Sequence, residues 1–87
     1  MSDICVLAPV DLEYRLAGND VVVHDPQHER VHVLNKTAAY ILQSCDGRRD
    51  AQAIADDLST RTGVPSARVL LDVQRALTEF RALQLVR

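Results

Sequence analysis

Apolar residues along this chain fall into three short alternating runs, followed by three longer stretches in which they recur every three or four positions. Residues 12–16 alternate with period two, with Leu12, Tyr14 and Leu16 on one side and Glu13 and Arg15 on the other, the pattern of a half-buried strand. Gly18 and Asn19 both tolerate positive φ, so residues 17–20 predict a turn. Residues 21–24 are three valines and His24, the β-branched composition of a second strand. Pro26 suits the first central position of a turn over residues 25–29. Residues 30–34 then complete a three-stranded meander.

The period changes at Asn35, whose side chain can accept an otherwise unsatisfied amide proton of a following helix. Ala38, Ile41, Leu42 and Cys45 share one face of that helix, and Gly47 is expected to stop it. Asp50 predicts the cap of a second helix carrying Ala51, Ile54, Ala55 and Leu58. Gly63 should end it, and Pro65 should keep the chain from continuing. Ser66 is expected to cap the longest helix, residues 67–83. At 100° per residue, Val69, Val73, Ala76, Leu77, Phe80 and Leu83 form one stripe, with Leu70 at its edge. Leu71 lies off the stripe, on the far side with Arg75, Thr78 and Ala82.

Three strands cannot cover themselves, so the sheet must lay its apolar face on the helices. The expected class is α+β and winged helix-turn-helix-like: a three-stranded antiparallel sheet followed by three helices, the last two joined by a short turn at Gly63. No repeat, low-complexity segment or Ser/Gly linker divides the chain. One domain over residues 12–87, preceded by an N-terminal arm of residues 1–11, is the expected organisation.

At 87 residues the chain holds a single modest core, burying about 60% of its unfolded surface and leaving no room for a deep substrate cavity. Phe80, Tyr14 and Tyr40 are the only aromatic rings, too few for base-stacking platforms. A formal charge of −2 speaks against nucleic acid, whose binders carry a basic excess. No apolar run approaches the ~20 residues that span a bilayer, and the first residues lack a basic n-region, so a cytoplasmic protein without membrane contact is expected. Cys5 and Cys45 follow no metal or redox spacing. Two reduced thiols are the simple reading, and a disulfide from the arm to the first helix is the alternative.

Candidate reactive groups do not assemble into a site. His24 and His32 could face one another across adjacent strands, but neither they nor His28 find a third ligand, and zinc typically wants at least three. Asp56 and Asp57 are helix neighbours pointing about 100° apart, so they do not converge on one atom. Ser44, Ser59, Ser66 and Thr62 lack the histidine or glycine-elbow context of a nucleophile. No enzyme activity and no cofactor are expected. Arg48 and Arg49 read as a solvated loop or an anionic contact.

A strand ending in Leu34-Asn35 and a helix with Ala38, Ala39, Ile41 and Leu42 form one part of a wider pattern. Cys45-Asp46-Gly47 with Arg49, then Ile54 and Leu58, and Leu71-Asp72-Val73 with Leu77, Leu83, Leu85 and Val86 complete it. With this pattern, over about residues 12–86, the sequence resembles the PqqD-like family of precursor-peptide recognition elements. The resemblance implies a winged-helix-like module that binds the leader of a ribosomally made precursor peptide. The leader would add as a strand to the third strand and lie in a groove beside the third helix. The module would then present it to a maturation enzyme, a radical-SAM enzyme in pyrroloquinoline quinone (PQQ) biosynthesis. The polar turn at residues 25–29 and the absence of a C-terminal tryptophan look closer to free-standing elements of related peptide pathways.

The physics of such binding is self-consistent, because an exposed strand offers unpaired N–H and C=O groups to any extended peptide. The expected peptide-binding residues are the backbone of Arg30, Val31, His32, Val33 and Leu34 and the side chains of Arg68, Leu71, Asp72 and Arg75. Arg68 and Arg75 would meet acidic leader residues, although Asp72 could instead pair with either along the helix. The open edge could also pair with a second copy in a homodimer.

Two other classes remain. A winged-helix DNA-binding regulator would use Arg68, Arg75 and Arg81 on the third helix, opposed by Asp72 and Glu79 on the same helix. A protein–protein adaptor would dock on an enzyme through the helices alone.

Overall fold

A computed structural model describes residues 12–86. The expected arm, residues 1–11 with Cys5, lies outside the described residues, as does Arg87. Strands β1 (Glu13–Ala17), β2 (Asp20–Asp25) and β3 (Arg30–Asn35) form an antiparallel sheet in the order β1-β2-β3. Gly18 alone takes the positive φ (65°) that the tight β1–β2 turn needs. The register sets Tyr14 against Val23 and Val23 against His32, so the inner face carries Tyr14, Val21, Val23, His32 and Leu34. Leu16 shares this face but is 75% exposed, contrary to its half-buried expectation. It sits on an edge strand beside an open groove walled by Lys36, Ala39, Tyr40 and Gln43, so the core does not cover it.

The β2–β3 turn is organised by a buried carboxylate. Asp25 is 1% exposed. It accepts from the backbone N–H groups of Gln27 (3.1 Å) and His28 (3.3 Å), and its other oxygen lies 2.7 Å from His28 Nδ1. Side-chain acceptance two residues on is how Asp mimics a backbone turn. Glu29, at φ 53°, then swings the chain into β3.

Helix α1 (Lys36–Gln43) starts as expected, with Asn35 Oδ1 accepting from Ala38 N at 2.7 Å. It ends at Ser44 and not at Gly47. The Ser44 N–H bonds the carbonyls of Tyr40 (3.0 Å) and Ile41 (3.1 Å), and its hydroxyl also donates to Tyr40 O. Those bonds satisfy the terminal carbonyls three residues early. Gly47 keeps a left-handed φ of 78° inside the following loop, where Asp46 Oδ1 accepts from Arg48 N and Arg49 N.

Helix α2 (Ala51–Thr62) is capped by Asp50, which accepts from Ala53 N at 2.8 Å, and stops at Gly63 with φ 77°. Helix α3 (Ser66–Ala82) begins one residue earlier than expected. Pro65 is extended (φ −54°, ψ 137°) and its carbonyl accepts from Arg68 N and Val69 N, so Ser66 is already helical and makes no side-chain cap.

Helix α1 packs on β2 and β3, α3 packs on α1 and α2, and all three helices contribute to one core with the inner face of the sheet. Phe80, Ile41, Leu42, Ile54, Leu85, Val23 and Val73 are the largest fully buried apolar side chains of the core. After α3 the chain turns at Gln84 (φ 61°), and Leu85 N bonds Phe80 O at 2.8 Å, which folds Leu85 and Val86 back into the core. The Tyr40 hydroxyl donates to Asp57, Arg61 Nε lies 3.5 Å from Asp57, and the Arg61 guanidinium stacks over the Tyr40 ring at 5.1 Å. This cluster ties α1 to α2. Asp56 instead accepts from Gln52, so the two carboxylates diverge as expected. Among the described residues no helix is long and apolar enough to cross a membrane.

Two measurements check this packing. Phe80→Ala should cost about 3–5 kcal/mol in urea unfolding, a large part of a small domain's stability. Leu71→Ala, at a side chain 63% exposed, should stay within about 0.5 kcal/mol.

The pH dependence of unfolding checks the turn. Burial alone would push the Asp25 carboxyl up, but hydrogen bonds from the side chain and backbone of His28, its charge, and the Gln27 N–H hold it below the usual carboxylate range. A carboxyl that is more acidic folded than unfolded stabilises above about pH 4 and loses that contribution as pH falls through its folded value. The stability gap between the parent and Asp25→Asn should therefore be widest near neutral pH and narrow on acidification below about pH 4.

Candidate functional site

Edge geometry determines which backbone groups are left over. A two-residue turn closes on a hydrogen-bonded pair, here Ala17 with Asp20, and such pairs alternate along an antiparallel ladder. Asp20, Val22 and His24 therefore direct their backbone groups to β1, and Val21, Val23 and Asp25 direct theirs to β3. Their partners on β3 are Leu34, His32 and Arg30. Within the expected stretch from Arg30 to Leu34, only Val31 and Val33 turn N–H and C=O outward, on an edge that no described strand occupies.

The side chains divide by the same alternation. Val31 and Val33 stand on the outer face, 61% and 66% exposed, with Val22, Arg15 and His24 nearby. Leu34 packs inward against the core. His32 also points inward and is only partly exposed, and its Nε2 atom is buried with no hydrogen-bond partner. The Arg30 guanidinium is held elsewhere, donating to Gln84 Oε1 at 3.0 Å. That bond ties the start of β3 to the segment after α3.

At the other end of β3 a shallow, open groove begins. Asn35, Thr37, Ala38 and Ile41 form one wall, and Asp72, Arg75, Ala76 and Glu79 on α3 form the other. The Arg30 side chain reaches Gln84, just beyond α3, while Asn35 at the other end of the strand shares the groove with residues from the middle of α3. The groove thus brings together Asp72 and Arg75 of the expected residues. Arg68 shares their side of α3 at helical spacing, one turn before Asp72, and does not line the groove. Leu71 is exposed farther round the helix.

Asn35, Thr37, Ala38, Ile41, Ala76 and Glu79 were not expected here. Glu79 follows Arg75 by four and Asp72 by seven, a helical-face spacing present in the sequence. The small residues at 37, 38 and 76 carry no such signal, because only packing shows that they oppose one another.

Other readings lose their geometry. His24 pairs with Val31 and His32 with Val23, so the two imidazoles occupy opposite faces of the sheet and cannot share a ligand. His24 lies 3.8 Å from Glu13, and His28 is taken up by Asp25. Among the described residues no three metal-ligating side chains gather. Arg81 faces a different side of α3, with Gln74, Leu77 and Thr78. Since Asp72 and Glu79 also interleave with Arg75, α3 presents no continuous basic stripe for a DNA groove.

Comparison with known proteins agrees with this architecture. No curated protein matches the chain. The solved structure of TbiB1 in complex with the TbiA(beta) leader peptide superposes with a TM-score of 0.74, covering 93% of this chain and 94% of that one at 15% identity. At that identity the likeness establishes the fold. Residues 20–86, more than half of the chain, match the family model described as coenzyme PQQ synthesis protein D, and the chain belongs to the PqqD family.

Proposed function

We propose that this protein is a non-catalytic module that captures the leader of a ribosomally made precursor peptide and presents it to a maturation enzyme, in PQQ biosynthesis or a related pathway. The observation that carries this reading is the open edge of β3, where Val31 and Val33 point their backbone groups outward on a strand whose last residue, Asn35, opens a groove walled by α3. An extended peptide satisfies such groups whatever its sequence, and its alternate side chains reach the groove.

Membership of the PqqD family supports the reading, as does a fold shared with TbiB1, which was solved with a leader peptide. In this proposal Val31 and Val33 bind through the backbone. Arg30, His32 and Leu34 hold the strand in register, Asp72 and Arg75 contact leader side chains, and Arg68 and Leu71 lie along its path outside the groove. The maturation enzyme, of radical-SAM or another peptide-modifying type, would meet the module once the leader is bound.

Titration of the full chain with the leader encoded beside its gene tests this. Saturable binding at or below the order of 10 µM is expected, and none at that concentration would overturn the reading. Val33→Pro removes one outward N–H while leaving the β2 ladder intact. With the fold verified by circular dichroism, it should weaken leader binding by about fivefold or more, one hydrogen bond being worth ~1 kcal/mol.

A further inference from the structure

The α3 wall of the groove carries three ionised side chains in alternating sign. Asp72, Arg75 and Glu79 are spaced by three and four residues and lie within about 60° of one another around the helix. Such spacing permits pairing along the helix, yet no ion pair or hydrogen bond joins any of the three to another described residue. Facing them are the uncharged Asn35, Thr37 and Ala38. No described residue off the helix therefore answers the charge on this wall, which lies at the Asn35 end of β3.

We propose that this row is a charge-order filter, admitting leaders whose groove-facing alternate residues read basic, acidic, basic. The inference rests on the strand-addition reading and names the ligand chemistry of that site. Helical rise places Asp72 about 4.5 Å from Arg75 and Arg75 about 6 Å from Glu79 along the axis. Every second residue of an extended peptide repeats at about 6.7 Å. Long Lys, Arg and Glu side chains absorb the difference.

Because negative-positive-negative reads the same from either end, the required order holds whichever way the leader runs. Arg75 then takes a single acidic residue, and Asp72 and Glu79 take the basic residues on either side of it. This differs from a leader acidic throughout, which Asp72 and Glu79 would repel. Like charges set against each other are how an interface rejects the wrong partner.

The test is selection from a library of short random peptides displayed on phage, with the full chain as bait. The parent should enrich Lys/Arg-x-Asp/Glu-x-Lys/Arg. A variant carrying Asp72→Lys, Arg75→Glu and Glu79→Lys, all at the surface of α3, should enrich the opposite order. On the parent protein, a selected peptide should bind about tenfold more tightly than an isomer of identical composition with one basic and the acidic residue exchanged. That comparison keeps net charge constant and does not depend on the triple variant folding.

Equal binding of the two isomers, or the same order selected by both proteins, overturns the charge filter. If the selected peptides lose affinity for Val33→Pro but carry no charge order, the filter fails and strand addition stands. If they bind Val33→Pro as well as the parent, or nothing is enriched, strand addition fails and the filter with it.

Discussion

Because side chains in a strand alternate with period two, the pairing of β2 with β3 decides at once which residues enter the core and which backbone groups remain unused. Val21 and Val23 bury themselves on the inner face and at the same step direct their N–H and C=O groups to β3. That leaves Val31 and Val33 as the residues with outward backbone and exposed side chains. A slip of one residue would exchange them with His32 and Leu34, moving Leu34 out of the core and turning a different set of amides to the edge. The Asp25 turn protects against that slip, since its buried carboxylate holds the amides of Gln27 and His28 and fixes where β3 begins.

The third helix serves two environments. One stripe, Val69, Val73, Leu77 and Phe80, is buried and supplies much of the core, while the adjacent face carries Asp72, Arg75 and Glu79 into the groove. The stripe fixes the rotation of the helix, so the charged row is positioned by burial elsewhere and not by contacts of its own. Exposed charges left without partners cost little stability in water, and that same exposure leaves them available to a ligand. The Arg30–Gln84 bond and the return of Leu85 and Val86 to the core hold the far end of α3 against the start of β3.

Sharing a fold with TbiB1 at 15% identity is intelligible on these terms. What the fold demands is a hydrophobic period and a few caps, and many sequences meet those demands. The exposed positions along the groove answer to none of those demands.

Local rules made most of the elements legible. Strand alternation, the Asn35 and Asp50 caps and the Gly63 stop depend on residues within a few positions of one another, and these appear as expected. Expectation failed where a local competitor intervened: Ser44 ended α1 before Gly47, and the Pro65 carbonyl opened α3 ahead of Ser66. The family could likewise be read from residues 31–47 and the helices after them. Opposition across space could not be. That His24 and His32 occupy opposite faces follows from register, which is a property of two strands together. That Arg30 spends its guanidinium on Gln84, and that Asp72, Arg75 and Glu79 face Asn35 and Thr37, follows from packing between residues more than thirty positions apart. The sequence by itself determined the parts and their inward faces, because those are set by hydrogen bonding and hydrophobic period along the chain. Tertiary structure alone decided which outward groups share a groove, because exposed side chains leave no periodic trace of what they face.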